Sequence, residues 1–298
     1  MTARAERGAA VIMAMLVVAA TATLISGAFW RQSVLARQTE NELSYAQAKW
    51  LIRGAVDWAG IILREDARTS GVDHLAEPWA VQLAETRLNP DDGHDPVYIS
   101  GIIRDEQARF NLRNLAGPNG VSATELAALR RLLALVGAAE GAAAPIAQRV
   151  LASFPPGPER KQSAIGILSV DDLLGIAGMT PAVVERLRPF VTVLPERTAI
   201  NANTAPAVVL AARFGNLSLA DAQRLAASRD RAYFRDRADV VNRLGDLRLN
   251  AGGDEIAVAT RFFSVDGTVS YRRARLRAQA LVRRDGNRLE TLWLREAS

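Results

Sequence analysis

Twenty-two consecutive residues without a charged side chain, Ala9 to Trp30, constrain this chain more than any other feature. As a helix they span roughly 33 Å, enough to cross a hydrocarbon core of about 30 Å. The run therefore reads as a membrane span. A cleaved secretory signal has a shorter apolar region closed by a small-x-small site, and Trp30-Arg31 is not one. A plain signal anchor fits the apolar run equally well. Arg4, Glu6 and Arg7 precede it and Arg31 and Arg37 follow, which gives only a weak positive-inside bias.

The 298 residues carry a net charge of +5 and a pI near 10.2, a balance that invites a nucleic-acid reading. Its distribution argues otherwise. Lys49 and Lys161 are the only lysines, and from Arg261 to the end nine arginines face Asp266, Asp285, Glu290 and Glu296, a local excess of five. The remainder is neutral. Cysteine is absent, which is compatible with an oxidising compartment without identifying one.

Beyond Trp30 the chain does not break. Residues 31 to 67 lack proline, and Leu43, Trp50, Leu51, Ala55, Trp58 and Ile62 recur as one helical face, so the membrane helix is expected to run on as an amphipathic one. Residues 97 to 112 read as two short strands around a tight Asp105-Glu106 connection. Near the C-terminus, strand-like runs 262–265, 268–283 and 289–294 are separated by Asp266-Gly267 and Asp285-Gly286-Asn287, both hairpin signals. The middle run alternates Ala274, Leu276, Ala278, Ala280 and Val282 against Arg273, Arg275, Arg277 and Gln279, which predicts a sheet with a solvated arginine face.

Between these segments about 140 residues look wholly helical. Ser122 with Glu125 forms an expected capping box, and Ser169-Val-Asp-Asp and Thr180-Pro are further helix starts. The Ala/Gly/Pro-rich stretches 137–145 and 154–159 are expected to be exposed connectors. Asn201 and Asn203 are expected to close Asx turns before a helix that Thr204 caps and Pro206 starts.

The short basic leader ending in Gly8 at the edge of the apolar run resembles the class III leader of type IV pilins and type II secretion pseudopilins. The resemblance implies cleavage between Gly8 and Ala9 by a prepilin peptidase, and methylation of the new N-terminus. Most members carry glutamate at the fifth mature position; here it is Met13, a departure the family shows in its K subunit. Ala9 stands where Phe, Met or Leu is commoner. Asp105-Glu-Gln-Ala-Arg-Phe-Asn-Leu-Arg-Asn-Leu115 resembles a signature of type II secretion protein K, with Ala108 at a usual glycine. Ile200-Asn-Ala-Asn-Thr-Ala205, preceded by Leu173-Leu-Gly-Ile-Ala-Gly178, matches the helical insert of the same family.

That resemblance implies an α+β fold: a pilin-like long N-terminal helix on a small antiparallel sheet, with a large inserted all-α domain of SAM-like or helix-hairpin-helix-like character. The corresponding segments are a leader (1–8), a transmembrane helix (9–30), a pilin-like domain (31–115 with 259–298) and the insert (116–258). It further implies a minor pseudopilin that initiates and caps the type II secretion pseudopilus, with partners I, J and H, the prepilin peptidase and the inner-membrane assembly platform. The location implied is the inner membrane, single-pass, with the C-terminal domain in the periplasm. Leu43, Trp50 and Trp58 are candidate subunit-packing residues, and their burial inside the domain is the competing reading.

The same two insert segments also resemble the helix-hairpin-helix of competence DNA receptors, where turn amides meet a phosphate. The alternative is therefore a membrane-anchored DNA-binding protein of a DNA-uptake machine. No HExxH, GxSxG or P-loop pattern occurs and His74 and His94 lie apart, so the sequence offers no catalytic constellation. Asp91, Asp92 and Asp95 could present oxygens to Ca²⁺, which some family members bind, but they lack EF-hand spacing.

Overall fold

A computed structural model describes residues 3–89, 93, 95–154, 166–244 and 255–297. The first helix, α1, runs unbroken from Ala3 to Thr69, 67 residues. Nothing interrupts it because the first proline of the chain is Pro78. Its last third carries the buried line Ala48, Ile52, Val56, Ala59 and Leu63.

That line packs on a five-stranded antiparallel sheet. After α1 come β1 (Leu83–Arg87) and β2 (Val97–Asp105), and near the C-terminus β9 (Phe262–Tyr271), β10 (Ala274–Asp285) and β11 (Arg288–Ala297), in the spatial order β1-β2-β9-β10-β11. The expected alternation on β10 holds: Leu276, Ala278, Ala280 and Val282 are buried beneath α1, while Arg273, Arg275 and Arg277 face solvent. The Asp285-Gly286-Asn287 turn also forms, with Gly286 at φ 58°.

Asp266-Gly267 is not a turn. β9 passes straight through it and reverses at Arg272, which sits at φ 52°. Gly267 is there for close approach: it pairs with Gly101 on β2 and Ala278 on β10, and a Cβ on it would lie 3.2 Å from Ile52 Cδ1 of α1. A Cβ on Gly101 would come within 2.8 Å of the Asp266 carbonyl. A row of small residues thus forms the trough in which the helix lies. The 97–112 segment also differs from expectation. β2 is one nine-residue strand, and β3 (Phe110–Asn111) leaves the sheet to pair in parallel with β6 (Val191–Thr192). β1, with no alternating run, gives no signal in the sequence.

Between β2 and β9 lies a helical body. It holds the short pair β4 (Ala116–Gly117) and β5 (Gly120–Val121), then α2 (Ala123–Leu135), α3 (Ala143–Leu151) and α4 (Pro181–Leu187). Next come β7 (Ile200–Asn201), α5 (Ala207–Arg213), α6 (Leu219–Arg231), α7 (Arg237–Leu244) and β8 (Ile256–Ala257), which pairs with β7. Two apolar cores hold it, one around Leu129, Leu132 and Ile146, the other around Val209, Leu225 and Phe234. Stretch 137–145 is only partly a connector, because Ala142 and Ala143 are buried where α3 begins. Of 154–159, all but Phe154 lies outside the described residues.

Two caps depart from expectation. Ser122 Oγ accepts the Glu125 N–H, but the Glu125 carboxylate turns inward to Arg213, so no capping box closes. Thr204 is drawn to Asp105, and α5 starts after Pro206 instead. Thr180 caps α4 as expected.

The exposed helix stripe and the polar seam

Two places gather the side chains that could act: the outer side of α1 and the junction where the helical body meets the sheet.

On α1 the apolar positions divide into two lines. Leu51, Ala55 and Ile62 are half-buried at the edge of the sheet contact. Leu43, Trp50 and Trp58 point outward, 57%, 71% and 44% exposed, and Ile61 joins them. The core line Ala48-Ile52-Val56-Ala59-Leu63 is displaced by about half the helix circumference from Trp50. Gly54 lies between the two tryptophans, one turn from each, and a Cβ there would meet nothing within 4 Å. Arg53 covers part of the Trp50 ring at 5.2 Å. The stripe continues toward the segment Ala10–Trp30, which is exposed throughout and lies in a helix whose most apolar window has mean hydropathy 2.2.

The junction is polar and buried. Asp105 at the end of β2 accepts from Asn201 Nδ2 at 2.8 Å and Thr204 Oγ1 at 2.5 Å. Asn201 also donates to the Asp73 carbonyl at 3.0 Å, and its Oδ1 receives the Asn203 N–H. Asn203 exchanges two hydrogen bonds with the Phe234 backbone. Asn201 therefore closes an Asx turn as expected, whereas Asn203 holds its loop to the distant Phe234 backbone instead. Asn111 and Asn114 reach Glu196 and Thr198 on the returning chain. Burial is the main cause holding the Asp105 carboxyl up at about 6.

Arg284 is the junction's cation. Unlike the arginines of the solvated face it is 7% exposed, with Nη1 on Asp66 Oδ2 at 3.0 Å and Nη2 on Asp73. Alternation puts it in phase with Leu276, Ala278, Ala280 and Val282 on the buried side of β10, where its partners lie 211 and 218 residues away in sequence. Asp66, Asp73 and Glu77 bring three carboxylate oxygens within 4.8 Å of one another. A calcium ion needs six to eight oxygens, and here the guanidinium already engages two of the three carboxylates. The cluster is built for an arginine. Of the expected calcium ligands, Asp91 and Asp92 lie outside the described residues, and Asp95 is held by Arg272 Nε at 2.6 Å.

Of the helix-hairpin-helix-like segments, the second spends Asn201, Asn203 and Thr204 internally, and two arginines near it are also engaged. Arg131 Nε donates to the Ala212 carbonyl at 2.8 Å and sits against Gly215, while Arg213 is buried on Glu125 at 2.7 Å and Glu255 at 3.0 Å.

Comparison with known proteins decides between the readings. Two family models described as type II secretion system protein K match residues 108–196 and 200–259. A protein K of the type II secretion system from Pseudomonas aeruginosa is 31% identical over 90% of this chain and 85% of its own length. The chain belongs to the type II secretion system protein K family. The protein K of Klebsiella pneumoniae is 32% identical, with 75% of each chain covered. A chain from the crystal structure of the GspK-GspI-GspJ complex of enterotoxigenic Escherichia coli has the same fold, with TM-score 0.70 and 22% identity over 88% of this chain and 99% of that one. The fold is thus that of a K-family protein: long apolar N-terminal helix, antiparallel sheet and helical body. That family is one of secretion-system components, and the DNA-uptake reading is not favoured.

Proposed function

We propose that this chain is a minor pseudopilin at the tip of the type II secretion pseudopilus, where it helps initiate and cap the fibre for export of folded periplasmic proteins. One observation carries this reading. The helical body departs from β2 and returns into β9 at the end of the sheet beside Leu63 and Asp66, away from the apolar half of α1. A subunit so built presents helix below and bulk above, and a further subunit cannot stack on its helix end.

In this reading residues 1–8 are a leader cut by the prepilin peptidase between Gly8 and Ala9. Residues 9–30 anchor the chain in the inner membrane, and the rest lies in the periplasm as a pilin-like domain (31–115 with 259–298) carrying an insert (116–258). Met13 leaves no carboxylate to pair with a subunit above, and a carboxylate without a partner in the membrane is costly. Leu43, Trp50 and Trp58 dock on the helices of subunits of the I and J types in helix-in-groove fashion, with H and the assembly platform as further contacts.

Two measurements test it. Co-expression with the prepilin peptidase should leave Ala9 as the N-terminus, read by intact mass. Gold label on a C-terminal tag should mark one end of each reconstituted fibre; label along the fibre length would overturn the tip assignment.

A further inference from the structure

The helical body joins the sheet through two chain connections, and both pass through the same buried polar cluster. On the outgoing connection, Asp105 Oδ1 accepts the Gln107 N–H at 2.7 Å while Oδ2 holds Asn201 and Thr204 of the helical body. On the return, the Thr260 N–H donates to Asp73 Oδ2 at 2.7 Å and the Arg261 N–H to Gln107 Oε1 at 2.8 Å. Arg284 ties the two to α1 through Asp66 and to the loop after it through Asp73, and also donates to the Thr260 carbonyl at 3.3 Å. Glu77 Oε2 accepts from the His74 N–H at 2.9 Å and from Trp79 Nε1 at 2.8 Å, and the His74 ring stacks on Tyr233 of the helical body at 4.1 Å.

The charges in this seam do not balance. α1 contributes Asp66, the loop after it Asp73, His74 and Glu77, β2 Asp105 and β10 Arg284, whereas among the described residues the helical body meets them with the neutral Asn201, Thr204 and Tyr233. Glu106, next in the chain, turns instead to Arg109 and Thr192. All four seam carboxylates are at most 7% exposed. Fully ionised, they leave three more negative charges than the one guanidinium neutralises, in a region that water does not screen.

We infer that this seam is a proton-linked hinge: protons taken up by its carboxylates lock the helical body onto the end of α1, and full ionisation loosens it. Burial, first among the causes, raises Asp66 and Asp105 to about 6 each, and also raises Asp73 against the pull of Arg284. In an opened, hydrated seam these groups return to the ordinary value of 3.8. A raised carboxylate stabilises the closed form fully below pH 3.8, and that contribution is lost as pH rises through about 6. For each of Asp66 and Asp105 the opening equilibrium grows about tenfold between about pH 5 and 7.5, hence about a hundredfold together. The hinge stands on the seam alone; only its use at a fibre tip rests on the function proposed above.

Hydrogen exchange of the full chain in detergent micelles, at about pH 5 and 7.5 and corrected for intrinsic rates, reads the opening directly. Peptides spanning 70–77 and 258–262 should open about a hundredfold more at the higher pH, while α2 peptides around Leu132 change less than about threefold. Asp66→Asn, which keeps an acceptor for Arg284, should remove about tenfold of that response. Equal seam opening at both pH values, tighter closure at pH 7.5, or parallel loosening of α2 would each overturn the hinge. If Asp66→Asn does not fold, the pH pair on the native chain still decides.

Discussion

Trp50 and Ile52 stand two residues apart on α1 and should separate assembly from folding. A tryptophan side chain buries up to about 250 Å², and at 71% exposure Trp50 holds roughly 180 Å² of it free. At about 25 cal/mol per Å² full burial against a partner contributes at most about 4.5 kcal/mol, within the range of interface hot spots. Trp50→Ala should therefore weaken binding to an I–J pair by about 30- to 1,000-fold. Its contact within the chain is an exposed Arg53 over the ring, so stability should stay within about 0.5 kcal/mol. Ile52→Ala is the mirror case. Ile52 is 3% exposed among Ala48, Ile99, Val269 and Leu276, and truncation should cost about 2–4 kcal/mol of stability. Titration of the detergent-solubilised chain against I–J, paired with thermal unfolding, measures both. A folded Trp50→Ala that binds within threefold of the native chain, or one that melts as early as Ile52→Ala, refutes the division of α1 into two faces.

Three further outcomes follow from the same structure. Gly54→Ala should raise stability by about 0.5–1 kcal/mol, because glycine in a helix interior is unfavourable and a Cβ meets nothing there; Gly54→Leu should weaken I–J binding by more than about tenfold if a partner side chain enters between the tryptophans. Arg284→Met should cost about 3–5 kcal/mol near neutral pH by stranding Asp66 and Asp73, as read by denaturant unfolding. That cost should shrink as pH falls toward about 6, because Asp66, no longer held down by Arg284, protonates above that value. Gly101→Ala should destabilise by about 1–3 kcal/mol, since its methyl meets the Asp266 carbonyl, whereas Gly267→Ala should cost less, since the Ile52 side chain can swing away; chemical denaturation of the two variants compares them.

The parts of the fold legible in the sequence are those set by local rules. A charge-free run without proline dictates one continuous helix, and the β10 alternation fixes which face meets it. Local rules failed where a distant partner won. Glu125 three residues after Ser122 looks like a capping box, but Arg213 offers it a buried charge 88 positions away. Asp266-Gly267 looks like a turn, but the glycine is needed under Ile52. Leu43, Trp50 and Trp58 belong to the same broad apolar arc as Ile62, and hydrophobicity alone does not say which part of an arc a sheet will cover. The seam was half visible: Asn201 and Asn203 could be assigned to loops from their own chemistry, whereas Arg284, in phase with the buried face of β10, finds its carboxylates 211 and 218 positions away, beyond any local rule.

The unbroken course of α1 makes the anchor a lever. From Trp30 to Asp66 the helix rises about 54 Å with no proline to absorb bending. A tilt of about 20°, ordinary for a membrane helix, sweeps the distal end sideways by about 18 Å, more than a helix diameter. In the membrane-anchored reading proposed above, bilayer thickness and anchor length would therefore set which neighbours Trp50 and Trp58 can reach, and leaving the bilayer would release the whole rod at once.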